Sequence, residues 1–188
     1  MILSFDIGIK NLSYAIFDYK DKCIKDWKIV CLTENLSEKK KSSIDQLTPI
    51  LLKKMIEINA ENITHVLIEN QPVMKNPVMK SIQMIIYTYF HHYNIINEKN
   101  IHIKLISAMN KLKCGIDIEY PESITNHKNK YMQKKKKAIH LCEHILFSDE
   151  NIITPDTNFQ SLFKNSKKKD DLADSLLYCI YYINKFSL

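Results

Sequence analysis

Hydrophobic and polar positions change period several times along the chain, and each change marks an element. Ile2 to Asp6 is an apolar run that ends in a carboxylate, and Ser13 to Asp18 follows with Ala15-Ile16-Phe17 at its centre. Lys22 to Leu32 then sets Ile24, Trp27, Ile29 and Val30 among charged residues. The connections between these runs are short, which predicts an antiparallel hairpin or meander. Ser42 or Ser43 can cap a helix to about Ile58, with Ile44, Leu47, Leu51, Met55 and Ile58 on one stripe. Thr64 to Glu69 reads as a buried strand, again ending in a carboxylate. Pro77 suits the first turn of a long helix through about Ile95, and Ile101 to Ile106 is a further strand. Residues 107 to 127 read as irregular, Asn129 to Phe147 as a helix basic at its start and apolar later. Residues 148 to 168 read as a polar loop, and Lys169 to about Phe186 as a final helix. The order β-β-β-α-β-α-β-α-α shows neither repeat nor linker. It predicts one α/β domain over residues 1–188, with a mixed five-stranded sheet flanked by helices.

Composition narrows the class. At 188 residues, 45% hydrophobic and 26% charged, the chain is globular rather than disordered. No apolar run reaches the roughly 18 residues of a membrane span. The first residues enter a strand at once, leaving no room for a leader or transit peptide. Cys23, Cys31, Cys114, Cys142 and Cys179 are an odd, scattered set without C-x-x-C spacing, which fits a reducing compartment better than a disulfide framework or a zinc ribbon. A protein neither secreted nor membrane-bound is expected. All 27 basic residues are lysine, and Ile, Lys and Asn make up 72 of the 188 residues, as an AT-rich genome would produce. The net charge of +6 is modest, but residues 128–137 hold six lysines and residues 164–169 hold four more. Such blocks suit phosphate backbones, and also suit a solvated surface.

Three acidic positions carry the candidate chemistry. Asp6 ends the first strand in Asp6-Ile-Gly8, a glycine that lets another backbone come close. Glu69 ends a buried strand in Ile-Glu-Asn-Gln-Pro, where an acid is costly unless it is paired or binds a metal. Lys-Lys-Asp170-Asp171-Leu-Ala-Asp174 opens the last helix, and acids three apart share a helix face. Acids in a first turn also answer to the helix dipole alone. Together, however, two strand-end acids and this pair can converge on one point. Such oxygen ligands would repel one another without a divalent ion, and they suit Mg²⁺ or Mn²⁺ clamping a phosphodiester.

Asp-Ile-Gly-Ile-Lys-Asn-Leu-Ser-Tyr, the Ile-Glu-Asn-Gln-Pro strand end, the Tyr-x-x-x-Lys-Lys run and Lys-Lys-Asp-Asp-Leu-Ala-Asp-Ser-Leu together resemble the Holliday junction resolvases. These are the RuvC-like branch of the RNase H fold, and the likeness is closest to the poxvirus-type and yeast mitochondrial enzymes. It spans Ile2 to about Tyr182. The resemblance implies an RNase H-like sheet, with three antiparallel strands first and two parallel strands after. It also implies Asp6, Glu69, Asp171 and Asp174 as catalytic metal ligands for two Mg²⁺ ions, which Mn²⁺ can replace. Helical geometry alone lets Asp170 pair with Asp174 almost as well; the resemblance selects Asp171. Lys136, in the run Lys134 to Lys137, matches a functional basic position, although the homopolymeric run leaves its neighbours as alternatives. Lys10, Gln71, Lys134, Lys135 and Lys137 are expected to contact DNA. Lysine where the family often has arginine keeps the charge but removes bidentate phosphate contacts. The implied protein is a homodimeric, structure-selective endonuclease acting on four-way DNA junctions, without a nucleotide cofactor. Its composition favours a viral enzyme working in host cytoplasm.

Other motifs in the chain compete with this resemblance. His140-Leu-Cys-Glu143-His144 fits the inverted zinc-protease signature, but Glu150 is the only glutamate after it to serve as third ligand. His91-His92 reads as helix surface. Tyr87-Thr-Tyr-Phe90 reads as core or dimer packing rather than base stacking. A D-x-G hairpin also opens actin-like and sugar-kinase ATPases, which need two such domains. A catalytically silent junction-binding module or another RNase H-fold nuclease are the remaining alternatives, and all four acids being present gives no support to lost activity.

Overall fold

The structure is a computed structural model that describes residues 1–34, 42–74, 76–150 and 152–188. Strands β1 (Ile2–Asp6), β2 (Leu12–Asp18) and β3 (Cys23–Val30) form the predicted antiparallel meander. Strands β4 (His65–Glu69) and β5 (His102–Ile106) then add in parallel, giving the order β3-β2-β1-β4-β5. The central β1 is buried at all five positions, which is why its sequence reads as a continuous apolar run.

Side-chain alternation divides the core in two. Leu3 and Phe5 of β1, with Val66 and Ile68 of β4, pack on α1 (Ile44–Glu57) and α2 (Pro77–Ile96). Ile2 and Leu67 face the other way, toward α4 (Lys130–Phe147) and α6 (Lys169–Phe186). Ser4 continues that second face and donates its hydroxyl to the Ser175 carbonyl, while Ser13 and Ser175 hydroxyls lie 2.9 Å apart. Small side chains there bring α6 close to the sheet, and α6 is buried continuously from Leu172 to Tyr182. By the same alternation Asp6 and Glu69, the next residues on that face, point toward the start of α6.

The caps follow the sequence. Ser43 makes a capping box with Gln46, Asn76 caps α2 with Pro77 at its first position, and Asn129 caps α4. The expected polar loop at 148–168 is corrected by the structure, because it contains helix α5 (Thr157–Asn165), capped by Asp156. Short length and one buried apolar residue hid it: Phe163 is fully buried and stacks on Trp27 at 5.5 Å between ring centroids. The irregular stretch 107–127 also holds a 3-10 turn at Asn110–Leu112 and a one-turn helix, α3 (Glu122–Thr125).

Candidate active site

The parallel register sets Phe5 beside Ile68, so Asp6 and Glu69 end adjacent strands side by side. Gly8 follows Asp6 in a turn where an added Cβ would lie 2.5 Å from the Asn11 carbonyl oxygen, so only glycine fits without moving backbone. Glu69 is held from two sides: the Gln71 amide donates to its Oε2 at 2.6 Å, and the Ile7 backbone N–H reaches the same oxygen at 3.4 Å. Gln71 is itself buried, and its backbone N–H donates to Gln83 Oε1 at 2.7 Å.

Helix α6 supplies the remaining acids. Asp6, Glu69, Asp170, Asp171 and Asp174 all line one cavity of about 550 Å³, together with Lys111, Lys134, Lys135, Tyr131 and Met109. Lys111, from the 3-10 turn after β5, forms a salt bridge with Asp174, both side chains being largely buried. Lys135, from α4, is paired with Asp170. Among the described residues, Asp171 Oδ2 and Asp174 Oδ1 are buried without any hydrogen-bond donor.

Electrostatics records how crowded these acids are. Burial, then the charges of Glu69 and Asp174, push the Asp6 carboxyl well above the usual range. Burial pushes Asp174 up to about 6, against the charge and hydrogen bond of Lys111. Asp171 is raised by burial and by Asp170. Asp170 goes the other way, because its hydrogen bond and ion pair with Lys135 outweigh burial. Burial works against the Lys111 ammonium, yet Asp174, with Asp6 and Glu69 behind it, keeps it above its ordinary range. The buried Tyr178 hydroxyl is raised by burial and by the nearby Glu69, Asp6 and Asp174 charges.

The residues suit a divalent cation in kind. Among the described residues no three Asp, Glu, His or Cys side chains are already closed around a single point. The donors are nevertheless hard carboxylate oxygens, two of them buried with no donor among the described residues, which is an unfavourable state that a cation relieves. Lys111 supplies part of that positive charge at Asp174.

The structure therefore brings together Asp6, Glu69, Asp171 and Asp174, with Gln71, Lys134 and Lys135 on the same cavity. Lys136 faces solvent outside it, Lys137 lies over the Tyr120 ring at 4.9 Å, and Lys10 is exposed on the turn after β1. Sequence reasoning missed Lys111 and Tyr178. One lysine among 27, in a stretch read as irregular, carries no local signal, and a tyrosine in a buried helix reads as core. The zinc signature does not close: His144 does face Glu150 at 3.3 Å, but His140 packs on Tyr120, Glu143 pairs with Lys169 at 3.3 Å, and no three such side chains among the described residues surround one point.

Known structures share this architecture. The Fowlpox virus resolvase, solved with its substrate Holliday junction DNA, superposes with a TM-score of 0.59 at 20% identity, over 98% of this chain and 97% of that one. The yeast mitochondrial Holliday junction resolvase Ydc2 gives 0.58 at 20% identity, over 98% and 83%. T. thermophilus RuvC, in complex with a Holliday junction substrate, gives 0.53 at 11% identity, over 97% and 95%. The fold is thus the RNase H-like α/β fold of the resolvases, with three antiparallel strands followed by two parallel ones. Residues 1–185 match the family described as Poxvirus A22 protein, and the chain belongs to that family. Uncharacterized protein L451 of Acanthamoeba polyphaga mimivirus is 34% identical over 154 residues, 77% of this chain. That match takes in 35% of L451, so the chain spans about a third of the length of this curated relative.

Proposed function

We propose that the chain is a divalent-metal-dependent endonuclease that resolves four-way DNA junctions by paired symmetric nicks. The observation carrying this reading is the convergence of Asp6, Glu69, Asp171 and Asp174 on one cavity whose rim is basic. In this reading residues 1–188 form a single nuclease domain. Asp6, Glu69, Asp171 and Asp174 would hold two Mg²⁺ ions, or Mn²⁺ in their place. Bound there, such ions would supply Lewis acidity and positive charge for phosphodiester hydrolysis. Gln71 holds the Glu69 carboxylate in place through its amide. Lys111 neutralises Asp174 and reduces the repulsion that a phosphate would meet on entering. Lys134 and Lys135, at the rim, bind backbone phosphates. The basic position that the resemblance puts at Lys136 falls, in this reading, to Lys135, whose side chain reaches the cavity. Hydrolysis with departure of the 3′-oxygen leaves 5′-phosphate and 3′-hydroxyl ends.

A two-fold junction needs two symmetric cuts, and a C₂ homodimer supplies two such sites. The family's virus-derived description supports a role in viral recombination or concatemer processing at a cytoplasmic replication site. Among the described residues no helix is long and apolar enough to cross a membrane. The test is incubation with a synthetic four-way junction and with linear duplex, each with Mg²⁺ or with EDTA. Paired nicks at symmetric positions in the junction, dependent on Mg²⁺, are expected. Equal cutting of duplex, or cutting in EDTA, would overturn the reading.

A further inference from the structure

Three acids open α6, yet they do not share one environment. Asp174 is paired with Lys111, and Asp171 Oδ2 is buried without a donor among the described residues. Asp170 alone turns to α4 and accepts from the Lys135 ammonium. The same ammonium lies over the Tyr131 ring, 5.1 Å from its centroid and one helical turn earlier. Lys135 is thus held between a carboxylate and an aromatic face at the rim of the acid cavity.

Helix geometry explains why this lysine, of the four in the run, is the one held. Ala138, Cys142 and Ile145 of α4 are buried, and Lys135 lies on the same stripe at three- and four-residue steps. Lys136 is a hundred degrees round and exposed. A second pair of reversed polarity, Lys169 to Glu143 at 3.3 Å, ties the same two helices two turns further along α4. The register of α4 on α6 is therefore tied at two points along α4.

We infer that Asp170 is a positioning residue: it holds Lys135 at the mouth of the cavity, where the lysine meets the phosphodiester, and is not itself a metal ligand. This rests on the nuclease reading above. A free lysine distributes among many rotamers, and orienting it beforehand removes that loss from the reactive complex. The arrangement also leaves Asp171 as the uncompensated acid of the neighbouring pair, which assigns separate tasks to adjacent residues.

The experiment is a double-mutant cycle with Asp170→Asn, Lys135→Ala and both together, read as single-turnover cleavage of a labelled four-way junction at saturating enzyme. Junction affinity and the thermal midpoint are measured on the same proteins. Asp170→Asn is expected to slow cleavage roughly tenfold while binding stays equal or tightens, since a negative charge has left the surface. The double variant should be no slower than Lys135→Ala, and Asp170→Glu should regain most of the rate. Multiplying rate losses in the double variant would overturn the inference, because the residues would then act independently. Loss of cleavage as complete as in Asp174→Asn would make Asp170 a ligand. Weaker binding in step with a lower midpoint would make it a purely structural tie. A wild-type protein that leaves the junction uncut would overturn the nuclease reading itself, an outcome distinct from all of these.

Discussion

Lys111 and Asp174 form a salt bridge although 63 positions separate them in the chain. The lysine comes from the turn after the last strand, the aspartate from the second turn of the last helix, and the pair closes one side of the acid cavity. An ammonium inside a cluster of carboxylates lets the cluster fold before any ion arrives.

Removing that ammonium should therefore matter most where the acids are ionised. Lys111→Ala leaves Asp174, already pushed up to about 6, with still less to stabilise its charge. In EDTA the variant is expected to lose more thermal stability at pH 8 than at pH 5, because protonation relieves Asp174 at the lower pH. Equal losses at the two pH values would mean that the pairing is electrostatically silent.

The same acids make stability depend on pH and metal. Asp6 and Asp174 are raised in the folded state, whereas unfolded carboxyls lose their protons near pH 4. Between about pH 4 and 6 the folded protein binds more protons at Asp174, so that contribution to stability falls as pH rises and stays low above the window, and the raised Asp6 acts in the same direction. A divalent ion bound by the carboxylates should offset the loss at high pH only. Thermal midpoints in Mg²⁺ and in EDTA should differ little at pH 5 and clearly at pH 8; a gap independent of pH would place the ion elsewhere.

Neutralising the acids one at a time separates chemistry from binding. Asp6→Asn, Glu69→Gln, Asp171→Asn and Asp174→Asn are each expected to reduce junction cleavage by about a hundredfold or more. Junction affinity, measured by gel shift without metal, should hold or rise. Any variant that cuts within tenfold of wild type is not a ligand.

Gly8 offers a purely steric test. A methyl group there meets the Asn11 carbonyl oxygen at 2.5 Å, and backbone cannot swing aside as a side chain can. Gly8→Ala should shift the turn that follows Asp6, lowering both the thermal midpoint and the cleavage rate. Unchanged values would show that the turn has room the close approach denies.

Docking of α5 centres on Phe163, its one fully buried side chain. Phe163→Ala removes a fully buried side chain stacked on Trp27, whose indole N–H also donates to the Leu172 carbonyl at 3.1 Å. Large-to-small changes of this kind cost about 3 kcal/mol. Denaturant unfolding measures this directly, and a loss under about 1 kcal/mol would mean that α5 contributes little to the core.

The sequence by itself determined the elements whose signal is local and repeated. A continuous apolar run marks β1, an apolar stripe at three- and four-residue steps marks α1, and serine and asparagine mark the helix starts. Asp6 and Glu69 were legible because an acid after a buried run has few physical reasons to be there. Helix α5 was not legible, since one buried phenylalanine in nine residues makes no period. Nor could local pattern choose among adjacent like residues. Asp170 and Asp171, or Lys134 to Lys137, differ only in which neighbour they meet once α4 lies on α6. Lys111 and Tyr178 owe their place beside the acids wholly to packing. What each of these side chains faces depends on helix register and strand alternation across distant segments, and only the tertiary structure decides that.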